Sequence, residues 1–203
     1  MYKLVVLIIF VISLGSCSTR RNYYNAITST LNSIKTPFNS RIIDTLEIIN
    51  HTFPLDSKIL EGYKLQKEII LNKKLKSSNS FFEWVDKKYN WILSDADIEF
   101  MKKSSINEKN CQLKLHKFKN LKKDIIILQN PTFKNFSENN IELEKRIKID
   151  KFIYQISNPI YNKQKNIFMI QYKTLFLNST STLIFIKEDK IWKQIALLYP
   201  DVE

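Results

Sequence analysis

The first pattern along the chain is an unbroken apolar run at residues 4–12 (LVVLIIFVI), preceded by Lys3 and followed by Ser13-Leu14-Gly15-Ser16-Cys17. The run is shorter than the roughly 20 apolar residues that span a bilayer. Its flanks match the basic n-region, apolar h-region and small-residue cleavage site of a secretory signal. Polar residues 19–25 then read as a short tether. Residues 26–34 and 42–49 place apolar side chains at mixed three- and four-residue spacings, with Pro37 and Asn39 between them, which predicts two helices. In residues 63–75, Tyr63, Leu65, Ile69, Leu71 and Leu75 all fall on odd positions, the period of a strand. The segment is long for a strand and rich in Lys, Glu and Leu, so a helix or a mixed segment is expected.

A better-marked helix opens at Ser94-Asp95-Ala96-Asp97. Ser94 is a natural N-cap, Asp97 stands where a capping-box acid belongs, and Asp95, Asp97 and Glu99 suit the positive first turn. Ile98 and Met101 form an inward stripe, and Lys102 and Lys103 suit the negative end. From Asp124 the texture becomes that of strands. A short run at 125–128 ends at Asn130-Pro131, and four longer runs follow at 152–157, 167–177, 182–187 and 191–199. Asn158-Pro159, residues 162–166, 178–180 and Glu188-Asp189 separate them as turns. Short links between consecutive strands make an antiparallel meander. The expected fold is therefore α+β, with N-terminal helices packed on a C-terminal antiparallel β-meander. The organisation expected is a signal peptide at 1–16, an anchored tether at 17–25 and one domain at 26–203, helix-rich to about 110 and strand-rich from about 124.

Charge changes this picture little. The formal net charge is +12, but only four of the 32 basic residues are Arg, and the lysines are spread in pairs such as Lys73-Lys74, Lys87-Lys88, Lys102-Lys103 and Lys122-Lys123. Nucleic-acid surfaces cluster charge and favour Arg for bidentate contacts. A solvated lysine surface is the expectation and nucleic acid is not an expected partner; attraction to anionic lipid or polysaccharide is the alternative.

Residue chemistry narrows the function further. The chain has two glycines, Gly15 and Gly62, whereas phosphate-cradling loops, dinucleotide fingerprints and nucleophile elbows each need several. It has two histidines, His51 and His116, neither in a zinc-ligand motif and both expected to be exposed. No cofactor, metal site or catalytic residue is therefore assigned. With Cys17 consumed by processing, Cys111 has no partner for an internal disulfide. Its alternation with Leu113 and Leu115 predicts a buried position. Carboxylate pairs need no sequence motif. The densest group, Asp95, Asp97 and Glu99, is accounted for by helix capping. Phe81, Phe82, Trp84, Tyr89 and Trp91 read as core beneath the Ser94 helix, with a sugar-stacking groove as the alternative; Trp192 reads as core. Asn178-Ser179-Thr180 reads as a turn.

Two resemblances add to this. Leu14-Gly15-Ser16-Cys17 resembles the lipobox of bacterial lipoproteins. That resemblance implies lipidation of Cys17 and cleavage before it, so the mature chain is anchored to a membrane by lipid. Ser18 follows with no acidic run, which the resemblance reads as an outer-membrane protein facing the periplasm. The second covers about residues 94–199. Ser157, Pro159, Ile160, Lys187, Lys190 and Trp192 resemble a β-module of uncharacterised Bacteroidota lipoproteins, roughly "iSxPIF", a charged turn, a strand and a "KKxxGKW" hairpin. Asn158, Lys190 in place of a frequent glycine, and the lack of glycine between Leu175 and Thr182 are departures that weaken a shared binding loop. The module implies fold and location and transfers no catalytic residue.

The function expected is a non-enzymatic binding or adaptor module of the cell envelope, with an envelope protein or polysaccharide as partner. The alternatives are an envelope glycan or peptidoglycan hydrolase acting through two carboxylates, and an electrostatic binder of anionic lipid or polysaccharide.

Overall fold

The computed structural model describes residues 22–35, 44–71, 82–106, 108–129, 152–177 and 179–198. The chain is α+β, with three helices and a single mixed sheet among these residues. The helices are α1 (residues 22–33), α2 (Lys58–Leu71) and α3 (Asp95–Ile106). The strands are β1 (Thr45–Ile49), β2 (Phe82–Trp84), β3 (Asp124–Leu128), β4 (Ile153–Ile156), β5 (Ile160–Tyr161), β6 (Ile167–Thr174), β7 (Ser179–Glu188) and β8 (Ile191–Leu198). Their order across the sheet is β2-β8-β7-β6-β4-β1-β3, with β5 pairing β6 beyond the end of β4.

The expected meander is present as β4-β6-β7-β8, antiparallel throughout. Strand β1 extends it by pairing in parallel with β4 on one side and β3 on the other, so the sheet is mixed rather than purely antiparallel. This corrects the expectation of a second helix at 42–49, of which residues 42 and 43 lie outside the described residues. Leu46 and Ile48 alternate with Glu47 and point into one core, and the segment is flanked by strands on both sides. A strand enclosed in this way buries an Ile- and Leu-rich run that a surface helix would half expose.

The helices lie on opposite faces rather than together on one. Residues Ala26, Ile27, Leu31 and Ile34 of the α1 region pack with Leu46, Ile48, Tyr154, Ile156, Phe168, Ile170, Leu183 and Phe185. Leu60 and Tyr63 of α2 and Ile98 and Met101 of α3 pack with Ile160, Ile167, Met169, Ile184, Ile186, Ile195 and Leu198. Successive residues of β6 and β7 alternate between the two cores, as strand geometry requires. Residues 22–25 are helical, so α1 starts earlier than expected and takes up much of the presumed tether. Its Ser and Thr residues bond back to carbonyls one turn earlier: Ser29 to Asn25, Thr30 to Ala26 and Ser33 to Ser29. Such residues are weak helix formers, and burial of one face holds α1 in shape.

Residues 63–71 belong to α2; residues 72–75 lie outside the described residues. The period-two pattern there is incidental, since Tyr63 is buried while Leu65 and Leu71 are exposed. Helices α2 and α3 run antiparallel, tied by Lys102–Glu61 at 3.0 Å and Lys67–Asp95 at 3.7 Å. The capping box at α3 forms as expected. The Asp97 backbone N–H donates to Ser94 Oγ at 3.1 Å, and Asp97 Oδ2 accepts from the Ser94 backbone N–H at 3.2 Å.

Two irregularities shape the β7–β8 hairpin. Pairing passes from Ile184–Ala196 to Phe185–Gln194, leaving Ile195 as the extra residue of a bulge. Ile195 and Ala196 consequently face the same core, and the Ile195 carbonyl accepts from the Val85 backbone N–H just beyond β2 at 2.9 Å. At the turn, Asp189 and Lys190 hold φ of 46° and 68°, the left-handed region that two-residue hairpins reserve for Asn-Gly. Replacing Asp189-Lys190 by Asn-Gly removes steric strain at both positions. Urea denaturation of this variant should show a gain of about 1 kcal/mol.

Candidate functional site

The strand formed by β4 and β5 is interrupted at Ser157-Asn158-Pro159, and the interruption is buried rather than solvated. Both strand pieces pair with β6, so the backbone between them would leave polar groups unmatched. Ser157 supplies the match: its N–H donates to the Gln171 carbonyl and its Oγ accepts from the Gln171 N–H, each at 2.8 Å. The Gln171 side chain in turn accepts from the Asp56 N–H at 2.9 Å, which fixes the approach to α2.

Asn158, 3% exposed, is the centre of this seam. Its Oδ1 accepts from Thr52 Oγ1 at 2.7 Å and from the Tyr23 hydroxyl at 3.0 Å. Its Nδ2 donates to the Lys109 carbonyl at 2.8 Å, and its N–H donates to the Phe53 carbonyl at 3.1 Å. Thr52 is fully buried and also receives the Cys111 N–H at 2.8 Å. One side chain thus joins the start of α1, the loop after β1, the segment after α3 and the break in the sheet. Burial, with Cys111 adding to it, pushes the Tyr23 phenol far above its ordinary range and keeps it a neutral donor.

Glu108 borders the same seam. Burial pushes its carboxyl up to about 7, opposed by the Leu55 N–H and the Asn158 side chain, and its Oε2 is buried without a hydrogen-bond partner. Apart from that oxygen the cluster is satisfied from within the chain, and its chemistry is that of a clasp. No family model, curated protein or solved structure matches this chain.

The residues singled out in the sequence are not brought together. Cys17 lies outside the described residues, as do Phe81 and Asn178. Cys111 is exposed, which corrects the expectation of burial. Residues 108–123 form an irregular segment with one 3-10 turn at Leu115–Lys117, so period two does not carry through it: Leu113 is buried but Leu115 is 48% exposed. His116 is exposed as expected. His51 is instead half-buried, with Nδ1 2.8 Å from Asn50 Oδ1. Asp97 is engaged in the cap and Asp95 pairs with Lys67, while Glu99 is exposed. Trp84 and Trp91 meet edge to face at 5.3 Å, and Trp91 meets Tyr63 in the same way, so these rings pack on the α2–α3 core. Tyr89 is buried there as well. Trp192 packs edge to face on Phe168 at 4.7 Å at the margin of the opposite core, with Lys187 over its face. Among the described residues, no three of His, Cys, Asp and Glu gather as metal ligands, and no helix is long and apolar enough to cross a membrane.

The sequence reading missed Asn158, Thr52, Tyr23 and Glu108. Asn-Pro between apolar runs is the composition of an exposed turn, and nothing in the local pattern distinguishes a buried one. Asn158→Ala leaves two buried hydroxyls and a carbonyl without their partner. It should lower unfolding free energy by about 2–4 kcal/mol in chemical denaturation. Glu108 gives a pH signature. Its folded-state pKa lies above the unfolded value, so its contribution is fully present in acid and is lost as pH rises through about 7. Glu108→Gln should flatten that decline and raise stability on its alkaline side, read as denaturation midpoints across the pH range.

Proposed function

We propose that this chain is a non-enzymatic lipoprotein of the bacterial cell envelope, anchored through lipid on Cys17 to the outer membrane and facing the periplasm. Its α+β domain is a binding module held close to the bilayer. The observation that carries the reading is that α1 already includes residue 22, five residues beyond Cys17. Five residues extend at most about 18 Å. A domain anchored at Cys17 with helix already formed at residue 22 is held close to the headgroups. The first turn of α1 is also firmly held, because the Tyr161 hydroxyl donates to the Asn22 carbonyl at 3.0 Å and Tyr23 binds Asn158. A load on the lipid would pass directly into the sheet.

Asp97 is engaged in capping, Asp95 in an ion pair, and Trp84, Tyr89 and Trp91 in core packing, which favours binding over hydrolysis. Support for a relationship to the Bacteroidota lipoprotein module comes from order along the chain. Ser157, Pro159 and Ile160 fall at the break between β4 and β5, while Lys187, Lys190 and Trp192 fall on the β7–β8 hairpin. Cys17→Ser, expressed in a bacterial host, should accumulate as uncleaved precursor or leave the membrane fraction. Cleavage and membrane retention equal to the parent chain would refute the anchor.

A further inference from the structure

Residues 109–123 (KNCQLKLHKFKNLKK) contain six lysines and no acid. The structure makes this segment the outer covering of α1. Leu113 and Phe118 are buried and Leu121 is partly buried in the α1-side core, and Phe118 meets Tyr24 edge to face at 5.3 Å. Asn32 of α1 donates to the Asn120 carbonyl and accepts from the Lys122 N–H. Between these inward anchors, Lys109, Lys114, Lys117, Lys119 and Lys122 are exposed. Lys123 differs: it is buried and donates to the Ile34 carbonyl. Leu115, 48% exposed, stands among the lysines on the 3-10 turn.

Two further facts separate this surface from an ordinary solvated one. Residues 22–35 also contain no acid and end in exposed Lys35, so these two stretches, 29 residues in all, carry seven lysines and no Asp or Glu. The whole chain has a net charge of +12. Elsewhere four lysines are matched: Lys67 to Asp95, Lys102 to Glu61, and Lys88 and Lys193 to Glu188, with Lys193 also 3.1 Å from Asp86. Among the described residues, none of the five exposed lysines of 109–122 pairs with a carboxylate. The acids at its borders are Glu108 at one end and Asp44 and Asp124 at the other, beside Lys123.

We propose that residues 109–122 are a membrane-apposed surface whose lysines rest on anionic lipid headgroups beside the anchor, with Leu115 entering the interface. This rests on the anchor at Cys17, because the same short link that holds α1 near the bilayer brings its covering segment there too. Charges act on a surface only within about a Debye length, roughly 8 Å at physiological salt, so proximity is what makes the patch effective. Lysines suit a fluid array of headgroups, where a point charge on a flexible stem needs no fixed bidentate partner. Each basic residue near an anionic leaflet adds to attraction, and an apolar side chain among them adds shallow insertion.

Cys111 lies in the segment, is exposed, and is the only cysteine apart from Cys17, which makes it a built-in reporter. The full lipidated chain is reconstituted in phosphatidylcholine vesicles and in vesicles with one third of that lipid replaced by phosphatidylglycerol. The rate of Cys111 alkylation by a bulky maleimide is then measured. The expected result is alkylation slowed by about fivefold or more on the anionic vesicles and restored by high salt. Combined Lys114→Glu, Lys117→Glu and Lys119→Glu should abolish the slowing with the thermal midpoint preserved. Lys58→Glu, Lys64→Glu and Lys103→Glu, which change net charge equally on α2 and α3 across the sheet from α1, should leave it intact. Equal alkylation on both vesicle types, with the chain floating on both, overturns the surface and leaves the anchor standing. Loss of slowing in the distant triple variant also overturns it, as does protection by a soluble anionic polysaccharide but not by phosphatidylglycerol. A chain that fails to float with neutral vesicles, yet is protected on anionic ones, refutes the anchor and supports the surface.

Discussion

The amide of Asn158 is a buried polar group whose hydrogen bonds are all made within the chain, and three separate stretches depend on it for theirs. Its oxygen serves Tyr23 and Thr52, and its nitrogen serves the carbonyl of Lys109. In a low-dielectric interior each of these bonds is stronger than in water, and each broken one is correspondingly costly. The break in the sheet at Ser157-Asn158-Pro159 is what places the amide there. An uninterrupted strand would have turned successive side chains to alternate faces and left Thr52 and Tyr23 to find other partners. The irregularity in the strand therefore makes the joint between sheet, α1 and the segment after α3.

That joint ties the coverings of the two cores to one sheet. The α1-side core is covered by residues distant in sequence, Leu113 and Phe118 among them, and the α2–α3 core approaches it through the Asp56–Gln171 bond and the loop after β1. The clasp holds these coverings in register with the sheet. Glu108 stands at its edge with one oxygen unmatched, a tolerated defect beside an otherwise satisfied network.

How much of this was legible depended on whether the information was local. The Ser94–Asp97 cap and the strands of the C-terminal half were readable because caps and hairpins are set by residues a few positions apart. Residues 42–49 were misread because Leu46 and Ile48 satisfy either period over so short a run. What decided between them was enclosure by β3 and β4, partners far along the chain. Cys111 was misread for a related reason: three alternating residues suggested a strand where the chain makes one bridge at Gln112 and then a 3-10 turn. The lysines of 109–122 were visible but carried no meaning in the sequence. Only when α1 was seen to lie beneath them, with no carboxylate among the described residues paired to them, did they become a surface.

Tyr23 and Asn158 are 135 residues apart, and β1 finds both its neighbours only in the second half of the chain. Closing such long loops is slow, and the contacts that reward it come last. Among the described residues of the first half, β1 has no partner strand there and α1 has no sheet to lie on. The β6–β8 meander, by contrast, needs only adjacent turns. Assembly on this topology runs backwards relative to synthesis: the C-terminal hairpins form the template and the N-terminal segments dock onto it. The N-terminal segments therefore have no sheet to complete until the C-terminal strands are present.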